Sequence, residues 1–186
     1  MLRRWGVHVW DVIRIECIAS MNVTFNLVAL LNVLLAAAGL WATAPELRGR
    51  PVKLWRLGLP AFFCTMTAII MLSGTPTPHL LEFAWLIAGL MGAFAGIVAG
   101  SFVKVKTDQM WGLVQFKPAF LGAIAAIAIL GLVIVDSSAV WLGRGIWPPT
   151  QDPAVAAALL AGFLDGRAWR MAANAVRSPH ADLNDR

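Results

Sequence analysis

Asn26 and Asn32 lie in a run that is otherwise apolar and carries no charge, with Asn22 near its start. An amide buried in hydrocarbon needs a hydrogen-bonding partner, so bonding between helices is the expected use of these side chains. A solute path lined by Asn26, Asn32, Thr65 and Thr67 is the alternative. Proton-coupled transport needs an ionisable group at mid-membrane, and the first four apolar runs contain none. Asp165 follows the fifth run, two residues before Arg167, where an interfacial charge pair is expected. A metal centre or membrane enzyme would require His79, Glu82 and Asp136 to converge. Cys17 and Cys64 are the two cysteines and are too far apart for a Cys-x-x-Cys redox pair. Haem attachment through Cys-x-x-Cys-His, a Ser/His/Asp grouping, a phosphate-binding glycine loop and His-Glu-x-x-His are all missing from the sequence. The expectation is therefore a protein that is not an enzyme, with no catalytic residue, no metal and no cofactor.

Two further groupings concern contact rather than catalysis. Ala88, Gly92, Gly96 and Gly100 recur every fourth residue, which puts small side chains on one helix face over consecutive turns. In lipid such faces drive helix association by letting backbones approach closely. The expected partner is the next apolar run, with Ala119, Ala123 and Gly131 on one stripe; a homodimer seam is the alternative. Lys104, Lys106 and Lys117, with Trp111 and Phe116 among them, form a basic and aromatic patch for lipid or for a protein partner.

The elements that must hold these residues follow from composition. Of 186 residues 59% are hydrophobic and 13% charged, and mean hydropathy is +0.73. Average soluble domains are nearer 45–50% apolar and about 25% charged, so a soluble domain and a disordered chain are both excluded. A membrane-spanning helix takes about 20 apolar residues. Four runs qualify: 23–42, the stretch between Arg56 and Ser73, 83–103, and 118–135. A fifth opens at Pro153 but meets Asp165, Arg167 and Arg170 early, so alone it reads equally as an interfacial helix.

Charge placement decides between four and five spans, because short cytoplasmic loops concentrate Lys and Arg. Five spans put eleven of the fifteen Lys and Arg on the side of the C-terminus and leave Arg3, Arg4, Arg14 and Arg144 opposite. Four spans move Arg167, Arg170, Arg177 and Arg186 across and erase the asymmetry. The prediction is five spans, N-terminus outside, C-terminus cytoplasmic, in a bacterial inner membrane, with Arg167 and Arg170 snorkelling to the inner headgroups. Trp41, Trp55, Trp111 and Trp169 then fall at inner ends, and Trp85, Trp141 and Trp147 at outer ends, as interfacial tryptophans do. The basic balance, net +5, serves topology and anionic lipid rather than nucleic acid.

The predicted organisation is an amphipathic segment over 1–20, an all-α five-helix transmembrane domain over 21–177 and a polar tail over 178–186. Met21 as the true start is the alternative reading of the first segment. The 45–53 loop is punctuated by Pro45, Gly49 and Pro51. Alternation on both sides of Asp108-Gln109 predicts a cytoplasmic β-hairpin between spans three and four.

The order of these features carries a resemblance. A basic Arg48-Gly-Arg-Pro-Val-Lys53 loop, Leu59-Pro60 in the second span, a glycine-rich third span, Val105-Lys-Thr-Asp-Gln-Met-Trp111 and Phe116-Lys117 follow one another. In this layout, over roughly residues 22–169, the chain resembles the CcdC-like family of small bacterial membrane proteins. It differs in its added N-terminal segment and in Asp108-Gln109, where members show Asp-Gly. The resemblance implies a link to cytochrome c biogenesis and carries no catalytic residues over to this chain. The expected function is that of an accessory or assembly factor acting through the bilayer, other membrane proteins or a second copy of itself; a small-molecule or lipid transporter is the alternative.

Overall fold

The computed structural model describes residues 8–73, 82–108, 110–116, 118–141 and 153–179, with side chains from residue 27 onward. The chain forms two compact units, residues 1–31 and 32–186. Helix α1 (His8–Arg48) is followed by strand β1 (Val52–Lys53), a short 3₁₀ turn (Leu54–Leu57) and α2 (Gly58–Ser73). Then come α3 (Glu82–Ser101), β2 (Val105–Asp108), β3 (Leu113–Phe116), α4 (Leu121–Trp141) and α5 (Pro153–Arg177). Segments within α1 to α4 are long and apolar enough to cross a membrane. Helix α1 runs unbroken from His8 through the boundary expected at residues 20 and 21.

The second unit is built around its least apolar helix. Helix α5 packs most extensively on α3 and also contacts α2 and α4. Its buried side includes Ala154, Ala157, Ala161 and Leu164, which meet Ile129 and Val133 of α4 and Ala61, Ala68 and Met71 of α2 in one core. Bulky residues on the surrounding helices face outward: Leu34, Phe62, Ile69, Phe94, Ile124 and Ile134 are all exposed. Soluble monomers rarely expose continuous apolar surface beyond a few hundred Å². Four helices carrying such residues along their length suit an apolar surrounding.

The glycine face of α3 is used as predicted but on a different partner. A Cβ at Gly92 would meet the Leu159 carbonyl, one at Gly96 the Phe163 carbonyl, and one at Gly100 would lie 3.0 Å from the Arg167 carbonyl. Helix α5 answers with its own ladder, since a Cβ at Gly162 would strike Gly89 and one at Gly166 would strike Ala93. Ala88, at the start of this face, is buried. The expected pairing of α3 with α4 is thereby corrected. Gly131 of α4 has open space around it and is exposed, so α4 has no small-residue ladder of comparable length. The contacts advance together along both helices, from Gly89 beside Ala158 to Gly100 beside Arg170. The two helices therefore run parallel, over about 18 Å at 1.5 Å per residue.

Two connections and the end of α5 meet in a three-stranded antiparallel sheet of order β1-β3-β2. The predicted hairpin pairs Val105 with Phe116 and Asp108 with Leu113. Its turn is closed by the Asp108 carboxylate accepting the Met110 N–H at 3.1 Å, and Gly112 supplies the left-handed conformation at φ +60°. The third strand comes from the first connection, with Val52 opposite Val114. Inward-facing Val52, Leu57, Val114 and Phe116 pack on Met171 and Ala175 of α5. Pro45, expected in the loop, lies inside α1. The helix continues one more turn and ends at Gly49, also at φ +60°, with the Arg50 N–H bonded to the Pro45 carbonyl at 3.3 Å. A proline removes one helical hydrogen bond without stopping a helix whose end is fixed by a left-handed glycine cap.

Candidate functional site

Where the helices meet the sheet, two charges lie inside the protein. Glu46, in the last turns of α1, is 7% exposed, and Arg167 of α5 is 3% exposed. The Arg167 Nη1 donates to Glu46 Oε2 at 2.8 Å. Gly122 of α4 makes this geometry possible, because a Cβ there would sit 2.5 Å from Arg167 Nη1 and 3.1 Å from Glu46 Oε2. Three helices are thus joined by one ion pair, at the level where the glycine ladder of α3 ends. The Nε and Nη2 of Arg167 make no hydrogen bond among the described residues.

This arrangement overturns the expected Asp165–Arg167 pair and the snorkelling of Arg167. Residues two apart on a helix point to different sides. Asp165 accepts a hydrogen bond from the Thr65 hydroxyl of α2 at 2.8 Å, while Arg167 turns toward α1 and α4. Glu46 was not singled out by sequence reasoning. A signal was present: an acid in the last turn of an apolar helix opposes the negative end of the helix dipole, so it needs a specific partner.

The other predicted residues separate into groups. Asn32 is 6% exposed and its Oδ1 has no partner among the described residues, while the side chain of Asn26 lies outside them. Thr67 donates to the Phe63 carbonyl of its own helix at 2.9 Å, and Thr65 donates to Asp165. His79 and Lys117 lie outside the described residues, as does the side chain of Glu82. Among the described residues no three His, Cys, Asp or Glu side chains come together as a metal-binding group. Cys64 is buried, close to Gly39 of α1, where a Cβ would lie 2.9 Å from its Sγ.

On the sheet, strand alternation turns Lys104 and Lys106 outward while Val103 and Val105 pack inward. Met110 and Trp111 stand exposed at the hairpin turn. Trp41, Trp55 and Trp169 are likewise exposed toward this end. Beside the hairpin, a cleft of about 400 Å³ opens between the last turns of α1, the first connection and the start of α2. Its lining combines Arg48, Arg50 and Arg56 with Trp41, Trp55 and Phe63. Comparison with protein-family profiles, curated proteins and solved structures gives no match to this chain.

Proposed function

We propose that this chain is a five-span protein of a bacterial inner membrane, with its N-terminus outside and its sheet and C-terminus in the cytoplasm. It acts there without catalysis, as an accessory or assembly factor for other membrane proteins. The parallel course of α3 and α5 supports the fifth crossing, because a helix parallel to α3 ends where α3 ends. Arg48, at the end of α1, and Arg50, Lys53, Arg56, Lys104 and Lys106, in the two connections that form the sheet, all lie at this end. Such a concentration of positive charge is the cytoplasmic signature.

The observation that carries the accessory reading is the contrast between committed and exposed groups. Glu46 and Arg167 bind one another, as do Thr65 and Asp165. What faces outward at the sheet end is a braced hairpin bearing Lys104, Lys106, Met110 and Trp111. Aromatic and Met side chains on a fixed support are the kind that anchor protein contacts. The CcdC-like layout directs the search for a partner toward cytochrome c biogenesis. Purification from native membranes in mild detergent tests this: a stoichiometric partner should co-elute with the wild-type chain and be lost with K104E/K106E/W111A. Recovery of the wild-type chain alone would contradict it.

The transporter reading is favoured by one observation, the unpartnered Oδ1 of buried Asn32. If it holds, Asn32→Leu abolishes function at unchanged abundance. If Asn32 only packs, the substitution leaves function intact.

A further inference from the structure

The cleft beside α1 has features that packing alone does not require. Three arginines, Arg48, Arg50 and Arg56, reach it from the end of α1 and from the first connection, and none of them makes an ion pair among the described residues. The one acid in the lining, Glu46, is already neutralised by Arg167. The cleft therefore carries three uncompensated positive charges. Lys53, from the same connection, is exposed and does not line it, so the basic groups of the lining are all guanidiniums. Guanidinium presents paired N–H donors that match two oxygens of one phosphate. The Arg56 guanidinium lies 5.6 Å from the centre of the Trp55 ring, a stacking distance that restricts its orientation.

Much of the remaining lining is apolar. Trp41 and Pro45 come from α1, and Leu59 and Phe63 from successive turns of α2. Phe62, beside Phe63, is exposed on the outer surface of α2. The cleft thus grades from an arginine rim to an apolar surface that continues along the helix.

We infer that this cleft binds the phosphate of an anionic amphiphile, with the phosphate on Arg48, Arg50 and Arg56 and the apolar part along Trp41, Leu59 and Phe63. The inference rests on the membrane reading above. In the membrane the abundant source of this chemistry is an anionic phospholipid headgroup; free inorganic phosphate offers the same oxygens without the tail.

The test uses the full chain extracted from membranes, given equal amounts of phosphatidylglycerol and phosphatidylcholine in detergent, with retained lipid counted by native mass spectrometry. Wild type should retain phosphatidylglycerol preferentially. R48Q/R50Q/R56Q should reduce that retention at least about tenfold, given roughly one kilocalorie per mole for each basic residue near an anionic surface. K104Q/K106Q, which removes two positive charges at the same end but outside the cleft, should change it less than about twofold. Millimolar inorganic phosphate added as competitor separates the sources: displacement of the lipid assigns the rim to free phosphate, and persistence assigns it to the headgroup. Equal retention of both lipids, an unaffected arginine variant, or an equal loss in the lysine variant would overturn the cleft. Melting temperatures of all three proteins are compared first. A chain recovered in the soluble fraction without detergent would defeat the membrane reading itself, whereas a membrane-extracted, folded chain that fails to discriminate defeats only the cleft.

Discussion

At the scale of single residues, the Glu46–Arg167 pair is the costliest feature of the protein. Removing two charges from water costs several kilocalories per mole each, and a close partner offsets that cost only when both are present. Glu46→Gln should therefore destabilise the chain by about 3–5 kcal/mol, because it strands a buried guanidinium. The combined replacement Glu46→Leu with Arg167→Met should recover most of that loss, since apolar groups of similar volume carry no desolvation cost. Thermal unfolding in detergent, with all variants in parallel, measures both effects; a double variant as unstable as Glu46→Gln would refute the account. The sequence made Asp165 and Arg167 look like partners because they are near neighbours. Helical geometry separates them, and the true partner lies 121 positions away, a relation that no local pattern encodes.

Elements show how much a short pattern can reveal. The four-residue spacing of Gly92, Gly96 and Gly100 was legible, as was the hairpin from its alternation. The partner of the glycine face was not, because Gly162 and Gly166 sit in a helix whose charges drew attention away from packing. Strand β1 was invisible for a different reason: two residues have no period. The ladder predicts a sharp positional contrast. Gly96→Val places its branched side chain against the Phe163 carbonyl and the Arg167 N–H, backbone atoms that cannot move aside without separating the helices. It should abolish folded, monodisperse protein. Gly131→Ala meets open space, and alanine is favoured over glycine within a helix by roughly 1 kcal/mol, so size-exclusion profiles and melting temperature should be unchanged or improved. A normal Gly96→Val protein would mean that α3 and α5 do not pack through this face.

For the whole molecule, the central point is an inversion of the usual burial rule. In the second unit the least apolar helix, α5, is the one that contacts α2, α3 and α4. This explains why α5 falls short as a span by composition and still lies parallel to α3. Its Asp165 accepts a hydrogen bond from Thr65, and its Arg167 donates to Glu46 through Nη1. Composition made four helices of membrane-crossing length and apolarity legible, and charge counting favours five crossings over four. The measurement that tests this most directly is the sidedness of two single cysteines, Lys106→Cys on the hairpin and Val176→Cys at the exposed end of α5, each in a C17S/C64S background. They are labelled with a membrane-impermeant maleimide in right-side-out and inverted membrane vesicles. Both should label only in inverted vesicles, which places the sheet and the end of α5 together in the cytoplasm. Labelling of the two from opposite sides would show that α5 does not cross, and would contradict the five-span account.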